Sequence, residues 1–330
     1  MQSNPIKILS SGKYVPQRVP SEAIELKYGL PLGWSEKYSG VSSRHHVNTE
    51  SNAEMGARAL EMALEKVGLV LGDLDLLISA SASFDYPLPH QSSAIKRELK
   101  DGLIFNVPTM DVGSSCLSFL SGFEVAVSLL KSQQYNRIAI VSSEISSKGL
   151  NPENWETLTL FGDGAAAFIL ESDPDGASSV FKVEQATFSS GFSDSMIKGG
   201  GNKYFFRDYP YDPLLHTFGM NGRNLLRLAL QTLPGFVRDF FKDLPIQIEL
   251  VDCVVPHQAS KSGITLLKQL FPEISDRVKE NLSTHGNCIA ASIPMLLHDL
   301  IQSGEITRGM NCFLVGTAAG FSVGGLLIKY

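Results

Sequence analysis

Two distant segments of the chain carry nearly the same instruction. GARALEMALE begins at Gly56 and GRNLLRLALQ begins at Gly222. Each leads into an apolar strand that contains an aspartate, Asp75 in the first case and Asp252 in the second. Further on, SSCLSFLSG is followed by a helix and the strand RIAIV, and GNCIAASIP is followed by a helix and the strand NCFLV. The shared order points to duplication of a unit of about 150 residues, not to a short-period solenoid. On this reading Cys116 and Asn287 take nearly equivalent places in the two halves. The halves are expected at 1–175, carrying the cysteine, and at 176–330, carrying His257 and Asn287.

Within each half, short apolar runs alternate with amphipathic helical patterns. Residues 74–80, 137–141, 165–170, 250–255 and 312–315 read as buried strands, and 53–67, 117–131 and 222–233 as helices. Strand–helix–strand alternation predicts an α/β fold with much parallel sheet. The helix over 117–131 is apolar on nearly every face and is expected inside the protein. Cys116 would then sit at the N-terminus of a central helix. The longest irregular stretch, 189–213, is either a lid or pocket wall or an exposed connection. Its three successive glycines, 199–201, lack phosphate-loop spacing.

Composition narrows the class. Of 330 residues, 43% are hydrophobic and 19% charged, a balance that supports a large core. The net charge of −6 and the lack of a long basic run leave no evident role for nucleic acid. Four cysteines, Cys116, Cys253, Cys288 and Cys312, form no CxxC pair, and the seven histidines show no zinc spacing. Reduced thiols in a cytoplasmic protein are the simplest reading. The segment MQSNPIKILSSGKYVP has no apolar core of signal-peptide length, and no run approaches the about 18 to 20 apolar residues of a membrane span.

Three residues could do chemistry. Cys116 follows DVGSS and precedes the apolar helix, where free N–H groups and the positive dipole end favour thiolate. A packed core cysteine is the bland alternative. His257 follows the strand LVDCVV and Pro256, at a strand end where α/β folds place functional groups, or it is a satisfied structural histidine. Asn287, in HGNCIAAS, reads as a donor or as a plain turn or cap residue.

Taken together, the segments DVGSSCLSF, VVPHQAS and HGNCIAASIP resemble the Cys, His and Asn motifs of the β-ketoacyl-acyl-carrier-protein synthase III family, within the thiolase superfamily. The resemblance runs the length of the chain, through YSGVSSRHHV, LFGDGAAAFIL and GTAAGFSVGGLLIKY. It implies a duplicated five-layer αβαβα architecture and an acyltransferase of the β-ketoacyl synthase type. Cys116 would take the acyl group. His257 and Asn287 would stabilise the enolate left when a malonyl thioester loses carbon dioxide. The backbone N–H groups of Cys116 and Ala319 would form the oxyanion hole. No metal and no permanently bound cofactor is implied. Acyl-CoA or acyl-ACP and malonyl-ACP or malonyl-CoA are the substrates, acyl carrier protein is a partner, and the assembly is a homodimer.

The chain also departs from that family. Trp34 matches a tryptophan that stacks on the adenine of coenzyme A, but Trp155, Tyr38 and Ser262 stand where the family has arginines. Ser260 replaces the last residue of PHQAN, and Arg223 replaces an asparagine. Trp34, Trp155, Arg223 and Ser260 are expected along the pantetheine tunnel. Arginine is the better phosphate partner, so these changes weaken coenzyme A contacts and point to starter delivery on a carrier protein. Lys261 and Lys268, on one face of a helix starting near Ser260, are the expected docking cations. Leu88, His90 and Phe321 are expected at the acyl pocket, with a dimer interface as the other place for His90. Two rival activities remain open. A papain-like thiol hydrolase shares the order Cys, His, Asn, but GSSCLS lacks the aromatic that follows the papain cysteine. An acyltransferase of the same fold would move the acyl group without condensation.

Overall fold

A computed structural model describes residues 4–330. Met1, Gln2 and Ser3, the start of the N-terminal segment and of the first half, lie outside the described residues. The strands are β1 Ile6–Tyr14, β2 Gln17–Pro20, β3 Ser43–His46, β4 Leu76–Ser79, β5 Thr109–Asp111, β6 Arg137–Glu144, β7 Gly164–Ser172, β8 Ser179–Thr187, β9 Ser195–Met196, β10 Gly219–Met220, β11 Cys253–Pro256, β12 Asn311–Ala318 and β13 Ser322–Lys329. The helices are α1 Ser21–Tyr28, α2 Trp34–Tyr38, α3 Asn52–Glu65, α4 Gln91–Glu98, α5 Ser118–Lys131, α6 Trp155–Leu158, α7 Gly222–Phe241, α8 Lys261–Leu270, α9 Leu282–His285 and α10 Ser292–Ser303.

Two mixed sheets carry the architecture. One runs β1-β7-β6-β4-β5 and the other β11-β12-β13-β8. In the first, the parallel strands β6, β4 and β5 are extended by antiparallel β7 and β1, and in the second the parallel pair β11 and β12 is extended by antiparallel β13 and β8. Three cores separate the layers. One lies between α3, α4 and the outer face of the first sheet. A second, the largest, surrounds α5 and α10 between the sheets. The third lies between α7, α8 and the second sheet. This is the expected αβαβα stack. Gly122 of α5 makes the central approach possible, because a Cβ there would lie 2.8 Å from Cβ of Ala80.

The duplication holds in detail. Asp75 Oδ2 accepts from the N–H of Arg137 at the start of β6, and Asp252 Oδ2 accepts from that of Asn311 at the start of β12. The Ala80 N–H donates to Val141 at 2.7 Å, and the His257 N–H to Val315 at 2.8 Å. Ahead of each central helix stands a three-ten turn, Ser115–Leu117 and Ile289–Ala291, whose first residue has a left-handed φ of 52° or 50°. The first serine of each helix, Ser118 and Ser292, accepts a backbone N–H at 2.9 Å from Ser114 and Cys288 respectively. These pairings correct one expectation. The counterpart of Cys116 is Ala290, and the counterpart of Asn287 is Gly113. Motif similarity had set the register three residues off, because both segments share only small residues ahead of the helix.

Two helices also differ from expectation. Helix α5 is not enclosed on all sides, since Glu124 and Ser128 face solvent. Helix α7 does not stop at Leu233 but runs through Pro234 to Phe241. Proline in a helix interior costs roughly 3 kcal/mol. Beyond it α7 buries Phe236, Val237, Phe240 and Phe241, and each such side chain contributes about 1.5–3 kcal/mol on burial. The second effect wins. Among the described residues, no helix is long and apolar enough to cross a membrane.

Candidate active site

The chain brings its cysteine, histidine and asparagine motifs to one place between the central helices and the second sheet. Cys116 sits in the middle of the three-ten turn that leads into α5, one turn short of the α-helix proper. The backbone N–H groups of Ala319, in the β12–β13 turn, and of Cys116 itself favour its thiolate. His257 follows β11 and is only 5% exposed. Its Cβ packs over Gly316 of β12, and the Leu117 side chain reaches the same glycine. Asn287 is fixed by its backbone, which exchanges hydrogen bonds with Leu160 and Gly162 at 2.9 and 3.1 Å. Its Oδ1 accepts from the Ile289 N–H at 2.9 Å, and its Nδ2 donates to the carbonyl of Ala259 at 3.2 Å, two residues from His257. One amide hydrogen of Asn287 is left over. The turns before α5 and α10 pack on each other, which closes the constellation.

Electrostatics divide these groups. Burial alone depresses the His257 imidazole to about 4, so it is neutral at physiological pH. Its Nδ1 is buried and has no partner among the described residues. A buried N–H without an acceptor is rarer than a buried lone pair without a donor, so the ring proton belongs on Nε2. Cys116 runs against expectation. Burial pushes its thiol up to about 12, although the N–H groups of Ala319 and Cys116 pull the other way, and the nearby Glu144 charge raises it further. The turn and the dipole end lower the thiolate's cost but do not overcome desolvation.

Glu144 was not singled out by the sequence reading. It ends β6, is fully buried, and accepts from Ala82 N–H at 2.6 Å, Ser83 N–H at 2.9 Å and Ser83 Oγ at 2.6 Å. Burial holds its carboxyl up at about 7 against these donors. The available signal was a lone acid at the C-terminal end of a buried strand, where α/β folds collect functional groups.

The remaining expected residues scatter. Trp34 lies at the start of α2, whose N-terminus is pinned by buried Glu25 accepting from Gly33 and Ser35 at 2.8 Å. Trp34 packs at 4.7 Å on Tyr38 and edge-on at 5.9 Å against Trp155, forming an aromatic cluster at the surface. Arg223 is exposed in the first turn of α7. The Ser260 hydroxyl is occupied as the N-cap of α8, accepting from Gly263 at 3.1 Å. Lys261 lays its stem over Gly40, beside α2, whereas Lys268 is paired with Glu280 at 3.0 Å. Phe321 is buried beside Phe188 in the turn that carries Ala319. Leu88 and His90 do not join this pocket within the chain. Leu88 is 85% exposed, and exposed His90 meets Thr109 Oγ1 at 2.9 Å. Both belong to the loop that leads into α4, held by Asp85 and Asp111 at the N-termini of α3 and α4. The long segment after Ser189 is clipped by β9 and β10, and Phe218 at its end packs edge-on at 5.2 Å against Phe161, next to Asn287. The stretch 200–213 itself is mostly exposed, so most of the expected segment is a surface connection and its continuation at Phe218 is what packs beside the site.

Comparison with known proteins agrees with this arrangement. The 3-oxoacyl-[acyl-carrier-protein] synthase III model matches residues 110–188, and the model of that family's C-terminal part matches 242–330, together half of the chain. The chain is 27% identical over 325 residues to the beta-ketoacyl-[acyl-carrier-protein] synthase III of Vesicomyosocius okutanii, covering 98% of both. It superposes on the 3-oxoacyl-[acyl-carrier-protein] synthase III of Aquifex aeolicus with a TM-score of 0.88 at 24% identity, covering 98% of this chain and 100% of that one. The priming beta-ketosynthase of the R1128 polyketide pathway gives 0.87 at 22% identity, with 99% and 97% covered. With both motif-bearing segments matched and relatives aligned end to end, the chain belongs to the 3-oxoacyl-[acyl-carrier-protein] synthase III family, the β-ketoacyl synthases that are acyltransferases by reaction class.

Proposed function

We propose that the protein is a condensing enzyme that loads an acyl group on Cys116 and extends it with a malonyl thioester. In the first half-reaction Sγ of Cys116 attacks the acyl carbonyl, the new C–S bond forms, and the carrier thiol leaves with the proton that Cys116 gives up. The N–H groups of Ala319 and Cys116 stabilise the oxyanion between these steps. In the second, the malonyl carboxylate departs as carbon dioxide and leaves its electron pair as an enolate. Nε2 of His257 and the spare amide hydrogen of Asn287 donate to the enolate oxygen. The enolate carbon attacks the acyl thioester, a C–C bond forms, and Cys116 is released as thiolate.

The observation that carries this reading is the pair of neutral donors, an uncommitted Asn287 N–H and a histidine held uncharged by burial, on adjoining loops beside the cysteine. A thiol hydrolase needs its histidine as a base, and a buried imidazole near 4 is a poor one at neutral pH. The aromatic cluster of Trp34, Tyr38 and Trp155, with no arginine in it, supports delivery of the starter on an acyl carrier protein, with Lys261 as a docking cation. The apolar loop carrying Leu88, next to the open edge of β5 and exposed Leu103 and Ile104, supports a homodimer through that face in the cytoplasm.

The test is intact-mass screening of acyl thioesters, followed by product analysis with a malonyl thioester. Cys116→Ala is expected to abolish loading. His257→Ala and Asn287→Ala are expected to load and then stall. A swapped thioester or ester in place of a β-keto product would identify a plain acyltransferase, and an unmodified Cys116 with every donor would end the scheme.

A further inference from the structure

Behind His257 and Asn287 a polar cluster ties the first half of the chain to the second. Lys13 of β1 pairs with Asp299 of α10 at 2.5 Å and meets Nε2 of His285 at 3.5 Å. The His285 ring also lies 5.4 Å from that of His45 in β3. Lysine only donates, so Nε2 accepts and the ring proton sits on Nδ1. Nδ1 lies 2.9 Å from Thr284 Oγ1, whose own hydrogen goes to the Asn281 carbonyl at 3.2 Å. Both ring nitrogens are committed, and only a neutral imidazole fits. Burial first and the Lys13 charge next hold His285 in that form, at about 4.

From this cluster two lines of contact lead to the site. His285 begins the first. Its carbonyl presses on Gly162, where any Cβ would overlap it, and the Gly162 N–H donates to the Asn287 carbonyl at 3.1 Å. Between His285 and Asn287, Gly286 takes a φ of 68° with its Cα set close over the Leu160 carbonyl, so the turn cannot slide. Asp299 begins the second. Its Oδ2 accepts from Asn281 Nδ2 at 3.4 Å, and the Asn281 and Leu282 N–H groups donate to Oε1 of buried Gln258 at 3.1 Å. Gln258 adjoins His257 and holds the Pro256 carbonyl on its other side at 2.9 Å. The turn that carries Cys116 is fixed separately, by Ser114 and Ser118.

We propose that Lys13, through Asp299 and His285, is a positioning residue that sets the placement of Asn287 and His257, and so governs condensation but not the loading of Cys116. The inference rests on the proposed reaction in taking those two side chains as the enolate donors. The Asn287 side chain is tied only to its neighbours Ala259 and Ile289, so a shift of the 281–287 turn moves its spare amide hydrogen with it. The ion pair is partly buried, which shields it from the screening that empties a surface pair of effect. Removing the Lys13 charge strips His285 of its donor and leaves the Asp299 carboxylate without its cation. Both lines of contact then lose their common anchor.

The experiment separates the two half-reactions. Lys13→Met keeps the stem and removes the charge. Its acyl loading, read by intact mass, is expected within about twofold of wild type, and single-turnover condensation of the preloaded enzyme is expected to fall about tenfold, short of the about 100-fold of an ångström-sized misplacement. Lys13→Arg can still pair with Asp299 and is expected to recover most of the rate. A loss shared equally by loading and condensation, or one that arginine does not restore, is what general destabilisation gives and overturns the proposal. An unchanged Lys13→Met overturns it too. If Lys13→Met does not fold, Asp299→Asn takes its place, with the same split expected. The side-chain amide NMR signals of Asn287, assigned by their loss in Asn287→Ala, test the placement without any substrate. They are expected to shift in Lys13→Met and to return in Lys13→Arg. Shifted signals in an enzyme that loads but never condenses would sink the proposed reaction and leave the positioning role standing. Signals that stay put in Lys13→Met sink the positioning role, whatever the kinetics.

Discussion

A methyl group on Gly316 would lie 2.6 Å from Cβ of His257. Carbon atoms in contact prefer about 3.5–4.0 Å. The histidine cannot simply retreat, because its backbone N–H is bonded to Val315 on the same strand. Gly316→Ala is therefore expected to leave loading of Cys116 intact and to lower the condensation rate by about 100-fold, the scale of an ångström-sized misplacement. Single-turnover product formation from the preloaded enzyme checks it.

Acid is expected to destabilise the protein through its buried histidines. His257 is held at about 4, and His285 and His298, less deeply buried, are also lowered to about 4 by burial. An unfolded histidine titrates near 6.5. Between these values the unfolded chain binds protons that the folded chain refuses, so stability falls as pH drops from about 6.5 to 4. The contribution of His257 alone is on the order of 3 kcal/mol at its full extent. Urea unfolding at pH 7.5 and pH 4.5 measures the loss, and a His257→Asn chain is expected to lose less over the same interval.

Asn287→Asp is a sharper probe than truncation. The shape is kept, but an ionised carboxylate only accepts hydrogen bonds. Loading of Cys116 is expected to persist, and β-keto product to vanish. Recovery of condensation in acid, where the aspartate protonates, would show that donation is the requirement.

The two lysines expected to dock a carrier protein are not equivalent. Lys268 is already paired with Glu280, and Lys261 stands beside the aromatic cluster with its stem over Gly40. Charge reversal at Lys261 is expected to weaken binding of an acidic acyl carrier protein severalfold, and reversal at Lys268 to change it little, since exposed pairs contribute about 0–1 kcal/mol. Titration of the two variants against one carrier protein distinguishes them. Equal losses would spread the contact along α8.

Pro234→Ala is expected to raise the melting temperature. It restores a donor inside α7 and removes the ring from the helix interior. The gain is about 1–2 kcal/mol once the lost rigidity of the unfolded chain is deducted.

Much of this was readable in the residues. Strands β4, β6, β7, β11 and β12 were visible as apolar runs bounded by turn signals, and the three motifs pointed to Cys116, His257 and Asn287. What was not readable depends on contact. Pro234 says stop locally, and only the buried phenylalanines that follow it say continue. Strands β1, β8 and β13 mix Ser, Lys and Gly with their apolar residues, so their alternation is weak, and pairing makes them. Leu88 and His90 follow an apparent pocket motif, but the carboxylates of Asp85 and Asp111 tie their loop to the α3 and α4 tips and leave Leu88 exposed. Glu144 offered only the faint sign of a lone acid ending a buried strand, because its partners, Ala82 and Ser83, lie 62 and 61 residues earlier in the chain.

The near-repetition of the two halves has a last consequence. Where the second half supplies His257 and Asn287, the first has Ala80 and Gly113. Where the first supplies Cys116, the second has Ala290. Each copy is blank where the other is armed. A protein assembled from two first halves would own the sulfur without the histidine and asparagine, and one assembled from two second halves would own the reverse, so divergence between the copies, not the fold they share, brought the three side chains together.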